Sequence, residues 1–156
     1  MLSKREEKHL VKLVNKIGNV SQGLPQLIFE ALCKVVIFPS CEVVVANEKK
    51  EVLMTFRSDE FWHGWHFPGR LIRYGQTFKQ CLTQVVKTEL GCQLKLFKFL
   101  FPLDYAKGLR GPGIGLVFLC QVQGRPKNGK FFKVMPKNII FEHKELWKEL
   151  EKFLRK

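Results

Sequence analysis

The chain has 156 residues, 46% of them hydrophobic, and 27 Lys+Arg against 14 Asp+Glu give a formal charge of +13. That length suits one compact domain with its own core and argues against both disorder and a multidomain machine. No apolar run approaches the roughly 18 residues that a bilayer span requires, and the charged start from Met1 to Glu7 does not read as a signal peptide, so a cytoplasmic protein without a membrane segment is expected.

In chain order, Ser3 to Ile17 predicts a helix, with Leu10, Leu13, Val14 and Ile17 at helical spacing and Gly18-Asn19 as its stop. A second helix is expected after Gly23-Leu24-Pro25, with Leu27, Ile28, Ala31 and Leu32 as its apolar face. Residues 1–40 thus form an N-terminal helical extension, and residues 41–156 one compact unit. Cys41 to Ala46 and Glu51 to Phe56 predict a hairpin around the polar turn Asn47 to Lys50. Phe61 to Gly69 reads as an aromatic loop and Leu71-Ile72 as a short strand. Thr77 caps a helix that runs through Leu82, Val85 and Val86 to Leu90 and ends at Gly91.

Further strands are expected over Leu94 to Leu103, Ile114 to Val122 and Lys130 to Met135, with a Gly/Pro-rich loop from Lys107 to Gly113 and a turn from Gly124 to Gly129. An amphipathic helix from Asn138 to Leu154, with Leu146, Trp147, Leu150 and Leu154 inward, closes the chain. Strands mixed with helices on both sides predict an α/β/α sandwich around a mixed sheet. The five cysteines are odd in number, widely spaced and without a CxxC pair, which excludes a disulfide scaffold and a cysteine zinc site and leaves buried free thiols. From Leu90 to Phe141 there are nine Lys/Arg and a single acid, Asp104, a field that attracts phosphates or nucleic acid.

The run Trp65-His66-Phe67-Pro68-Gly69, followed by a strand, a turn and a helix ending Thr88-Glu89-Leu90-Gly91, resembles the Nudix hydrolase family. That family's box reads G-x5-E-x7-R-E-U-x-E-E-x-G-U, U being aliphatic, and its loop-helix-loop holds divalent cations against a diphosphate. Gly69, Glu89 and Gly91 match. Arg70 replaces the second glycine of the usual pair, Gln76 the first glutamate, Gln84-Val85 the Arg-Glu and Thr88 the other glutamate, so the box is degenerate. Glutamates at i, i+3 and i+4 would share a helix face, and here that face is Val85, Thr88 and Glu89. One carboxylate does not hold several Mg²⁺ ions, although a single Mg²⁺ is often held by one or two, with water and substrate phosphate completing its shell.

The nearest branch in style is that of the GDP-mannose mannosyl hydrolases, which work with fewer box glutamates. The resemblance implies one Mg²⁺ or Mn²⁺ ion held by Glu89 and the main-chain oxygen of Gly69. The late Gln-His pair of that branch has no counterpart between Gln121 and Phe132, which leaves the general base unidentified. Arg57, at the end of the hairpin, is the residue expected to neutralise the substrate diphosphate, with Arg70, Arg73 and Trp65 as further substrate-binding residues. His63 and His66 read as packing and positioning groups, and His143 as a solvated or half-buried position on the last helix. The function implied is Mg²⁺-dependent hydrolysis of a nucleoside diphosphate linked to another moiety, such as a nucleotide sugar, by a protein whose relatives are commonly homodimers. The alternative is an inactive fold kept as a binding module for nucleotide, RNA or a partner protein.

Overall fold

A computed structural model of the chain describes residues 2–18, 20 and 23–154. Helices α1 (Lys4–Val14) and α2 (Gln26–Leu32) precede strands β1 (Phe38–Val44), β2 (Val52–Ser58), β3 (His63–His66) and β4 (Gly69–Leu71). Helix α3 (Phe78–Val85) runs directly into a π-helical turn (Val86–Leu90), and β5 (Gln93–Tyr105), β6 (Gly113–Gln123), β7 (Lys130–Phe132) and α4 (His143–Leu154) complete the chain. The expected α/β/α sandwich is present, and its larger sheet is mixed. In the order β4-β1-β6-β5, β1 and β6 run parallel and the other pairs antiparallel, while β3-β2-β7 form a second sheet.

The two-residue period of β1 builds both halves of the core. Cys41 and Val43 pack with Cys81, Leu82, Val85 and Val86 of the box helix, whereas Val44 packs with Val117, Leu146, Trp147 and Leu150 on the α4 side. Burying a side chain such as Leu146 or Leu150 stabilises the fold by about 1.5–3 kcal/mol. All five cysteines are buried and free, as their apolar settings predict.

Several boundaries differ from the sequence expectation, each for a local reason. Residues 63–66 and 69–71, read mainly as loop, are strands because β2 and β1 offer them hydrogen-bonding edges. The last helix starts at His143 rather than Asn138. Residues 138–140 are instead tied to β3, the Trp65 N–H donating to the Asn138 carbonyl and the Ile140 N–H to the Trp65 carbonyl, both at 2.9 Å. Strand β7 ends at Phe132, short of Met135, and the first helix ends at Val14, three residues before Ile17. Asn19, expected as part of that helix's stop, lies outside the described residues.

Gly64 makes the tie between β3 and residues 138–140 possible, because a Cβ there would sit 2.3 Å from the Asn138 carbonyl oxygen. Forcing a methyl into that contact must displace the backbone. Gly64→Ala is expected to lower unfolding stability in urea by about 1–3 kcal/mol, the usual cost of overpacking; an unchanged midpoint would show that the tie carries no load.

Candidate active site

The Thr77 cap starts the box helix, its hydroxyl accepting from the Gln80 N–H while the Gln80 side chain accepts from the Thr77 N–H. The helix ends in a π turn, a feature frequent at functional sites, and Gly91 closes it in the left-handed region at φ 66°. The altered box positions have local explanations. Val85 is fully buried among the core residues, the Gln76 side-chain amide donates to Gln84 Oε1 at 3.2 Å, and the Thr88 hydroxyl donates to the Gln84 carbonyl. Glu89 faces Gly69: the Gly69 N–H donates to Glu89 Oε1 at 3.3 Å.

A second carboxyl reaches Gly69 from the other side. Glu42 of β1 pairs with Gly69 across the sheet, and a Cβ on Gly69 would lie 2.3 Å from Glu42 Oε2. Only glycine therefore fits between the two acids. The Ser40 hydroxyl donates to Glu42 Oε1 at 2.7 Å. Burial pushes the Glu42 carboxyl up to about 7, with the Ser40 bond opposing and the nearby Glu89 reinforcing. Burial likewise raises Glu89 to about 7, against the opposing Gly69 N–H, Arg57 and Arg70. Sequence reasoning missed Glu42. A lone acid in the apolar run Cys41 to Val45, on a strand buried on both sides, is the signal that was available.

Two adjoining hollows meet at this point, sharing Arg57, His66 and Gly69. One holds Glu89 together with Thr55, Trp65, Lys127 and Asn128. Lys127 and Asn128 arrive on the 124–129 turn, which is fastened to the π turn by the Lys127 N–H on the Leu90 carbonyl at 2.9 Å and the Asn128 amide on the Glu89 carbonyl at 3.1 Å. The other hollow, about 360 Å³, lies on the Glu42 side and is walled by Phe29, Phe38, Trp62, Tyr105 and the 108–113 loop.

Arg57 stands at the junction, paired with Asp59, its guanidinium 4.2 Å from the centre of the Trp62 ring. Asp59 is held down at about 2: burial pushes its carboxyl up, and hydrogen bonds from the Phe61 N–H, the Arg57 side chain and the Trp62 N–H outweigh that push. Trp65 is packed edge-on against Phe56 and Phe132. Arg70 lines the hollow on the Glu42 side, and its Nε is buried without a hydrogen-bond partner. Arg73 lies elsewhere, in a shallow groove with Tyr74, Lys79 and Lys87. The structure thus gathers Gly69, Glu89, Arg57, Arg70 and Trp65 around one cleft and leaves Arg73 outside it.

The histidines separate clearly. His66 is buried, its Nε2 3.0 Å from the Thr55 hydroxyl, as the packing role implies. His143 is also buried, which corrects the expectation of a solvated or half-buried position: Nδ1 accepts the Phe67 N–H at 2.8 Å, and Nε2 lies 3.8 Å from Glu42 Oε2. With Nδ1 accepting, the neutral ring carries its proton on Nε2, toward Glu42. Burial lowers His66 to about 4 and His143 to about 3, and the Arg57 charge acts in the same direction on both.

For a metal ion, the residues fit one site and no more. Glu89 offers one carboxyl beside Gly69, and Glu42 stands on the opposite side of the same glycine. Among the described residues no three or more His, Cys, Asp or Glu side chains are grouped as a metal would need.

The NUDIX domain family model matches residues 38–156, more than half of the chain. The chain belongs to the Nudix family. Solved structures agree on the fold. A MutT NUDIX hydrolase from Burkholderia pseudomallei superposes with a TM-score of 0.64 at 15% identity, covering 74% of this chain and 98% of that one. The NUDIX domain of Shewanella oneidensis NrtR, complexed with ADP ribose, gives 0.60 at 15% identity over 84% of this chain and 99% of that one. A bifunctional NMN adenylyltransferase/ADP ribose pyrophosphatase from Francisella tularensis, complexed with AMP and a manganese ion, gives 0.59 at 16% identity over 82% of this chain and 46% of that one. No curated protein matches the chain in sequence. Among the described residues no helix is long and apolar enough to cross a membrane.

The buried acids and histidines make opposite contributions to acid stability. Because His66 and His143 sit below the usual 6.5, the unfolded chain binds more protons at those rings, and acid weakens the fold from about pH 6.5 down to about 3. Glu42 and Glu89, near 7 instead of the usual 4.5, bind protons in the folded state first and strengthen it as pH falls from 7 to 4.5. The thermal midpoint is expected to stay nearly level between pH 7 and 4.5 and to fall below that. His143→Asn, which keeps an acceptor for the Phe67 N–H, is expected to flatten the fall; a midpoint that keeps rising below pH 4.5 would contradict this assignment.

Proposed function

We propose that the chain is a Nudix-type hydrolase of a nucleoside diphosphate linked to another moiety, such as a nucleotide sugar, working with one Mg²⁺ or Mn²⁺ ion. The observation that carries this reading is the meeting of Glu89 and Gly69 at the junction of the two hollows, beside Arg57. Glu89 and the Gly69 carbonyl would hold the ion, which when bound supplies Lewis-acid polarisation of a phosphate oxygen. The ADP ribose and the AMP with manganese bound by the structural neighbours support this substrate class.

The chain's own residues divide the remaining work. Arg57 presents a planar fork suited to phosphate oxygens and offsets negative charge on the leaving diphosphate. Lys127 adds a second positive charge beside Glu89, and Arg70 brings an unpartnered buried Nε to the other side of Gly69. Trp65 forms part of the wall. The buried neutral rings of His66 and His143 fix the floor through Thr55 and the Phe67 backbone.

One observation favours a second reading, that of an inactive binding module for nucleotide, RNA or a partner protein: Val85 is part of the core, Gln76 donates to Gln84 and Thr88 donates to the Gln84 carbonyl, so Gln76, Val85 and Thr88 put no carboxyl into the cleft. A panel of nucleoside diphosphate derivatives separates the two. Hydrolysis is expected only with Mg²⁺ or Mn²⁺, falling at least about 100-fold in Glu89→Gln and about 10- to 100-fold in Arg57→Ala. Binding that survives EDTA and weakens with salt, without any turnover, would instead establish the module.

A further inference from the structure

The outer surface of the box helix carries charge of one sign only. No acid stands between Glu60 and Glu89, while Arg73, Lys79 and Lys87 all line one open groove of about 580 Å³ along that helix. Lys79, Thr83 and Lys87 recur every fourth residue and so share the face turned away from Cys81, Leu82 and Val85, which are buried. Among the described residues no ion pair involves Arg73, Lys79 or Lys87. Bare cations along one groove repel each other, and an anionic chain lying in it relieves that repulsion. The groove is separate from the cleft, since none of its lining residues borders either hollow around Gly69.

Aromatic rings open to solvent stand at the same groove. Tyr74 forms part of its wall and is 80% exposed. Phe78, the neighbour of Lys79 in the chain, lies 5.6 Å from the Phe118 ring centre, and Phe97 and Phe99 of β5 reach the same ring at 5.9 and 5.5 Å. Phe118 is buried, yet the three rings around it stay 39–47% exposed. β5 is the outer strand of its sheet, and Phe97 and Phe99 pair with Cys120 and Phe118, which belong to the core on the box-helix side. Lys95 and Lys98 are exposed on the same edge strand. An acidic peptide would answer the cations and leave the rings in water. A nucleic acid single strand answers both, with phosphates for the cations and unpaired base faces for the rings, whereas a duplex keeps its base faces inside its own stack.

We propose that this groove and the rings beside it bind a single-stranded nucleic acid, its phosphates along Arg73, Lys79 and Lys87 and its bases stacked on Tyr74, Phe78, Phe97 and Phe99. The site is a second one, apart from the nucleotide cleft, and it holds whether or not the cleft hydrolyses its ligand. Because every base has a π face, the site reads little sequence, and each phosphate contact makes binding weaken with salt.

Fluorescence anisotropy of a short labelled oligouridine RNA, titrated with the protein over a range of salt, tests this. Binding is expected to survive EDTA and, at physiological salt, to be at least about fivefold tighter than that of an RNA duplex of equal length. Lys79→Gln combined with Lys87→Gln is expected to make the slope of log affinity on log salt shallower by about 1.4, roughly 0.7 for each lost phosphate contact. Tyr74→Ala and Phe99→Leu are each expected to weaken binding about tenfold with the salt slope unchanged, a pattern that charge alone does not produce. Tyr74 is exposed enough that its removal leaves the fold intact. Arg57→Ala, in the cleft, is expected to keep the wild-type RNA affinity. No binding of the single strand, duplex binding as tight or tighter, or affinity unchanged in both ring variants would overturn the proposal. Loss of binding in Arg57→Ala with the lysine variant unaffected would overturn it too, by placing the RNA in the cleft.

Discussion

The site depends on the space around Gly69. β4 lies against β1 so that Gly69 sits opposite Glu42, and the π turn at the end of the box helix brings Glu89 to the Gly69 N–H. A side chain at position 69 would strike Glu42, so the absence of a Cβ is what lets two acids approach one strip of backbone. Both carboxyls are driven up toward neutrality by burial. In the reading proposed above, a cation held by Glu89 and a phosphate facing Arg57 and Lys127 would relieve the desolvation of these acids.

The chain's excess of positive charge takes a definite meaning from this arrangement. The sequence resemblance implies that part of the +13 arises from glutamates replaced at Gln76, Val85 and Thr88. Their loss is compensated inside the fold, by apolar burial at Val85 and by an amide pair at Gln76 and Gln84, so the box helix keeps its structural role with less metal-binding charge. Lys127 then joins the cleft because its turn is pinned to the Glu89 and Leu90 carbonyls. The result is a cleft in which Arg57 and Lys127 stand close to Glu89 and Gly69.

Much of this was legible in the sequence. β-branched and apolar runs located β1, β2, β5 and β6, helical spacing located the helices, and Thr77 and Gly91 marked the ends of the box helix because capping chemistry is local. Gly69, Glu89 and Arg57 were singled out through the family resemblance, and the structure brings them to one cleft. Glu42 and His143 were not, for the same physical reason: an acid within an apolar strand and a histidine at a helix start look like solvated residues until tertiary contacts show Ser40, Phe67 and Gly69 closing around them. Glu142 was equally silent, since its hydrogen bonds to Trp62 and Leu109 are long-range. The place of α2 in the wall of the hollow on the Glu42 side also depends on contacts with the 108–113 loop, far along the chain.

The metal-dependent reading stands or falls on whether an ion binds the Glu89 carboxyl. A crystal soaked with Mn²⁺ and a nucleoside diphosphate sugar, with diffraction collected at the manganese edge, addresses that directly. One anomalous peak in contact with a Glu89 carboxyl oxygen and the diphosphate is expected; a bound diphosphate held by Arg57 and Lys127 with no peak at Glu89 would contradict it.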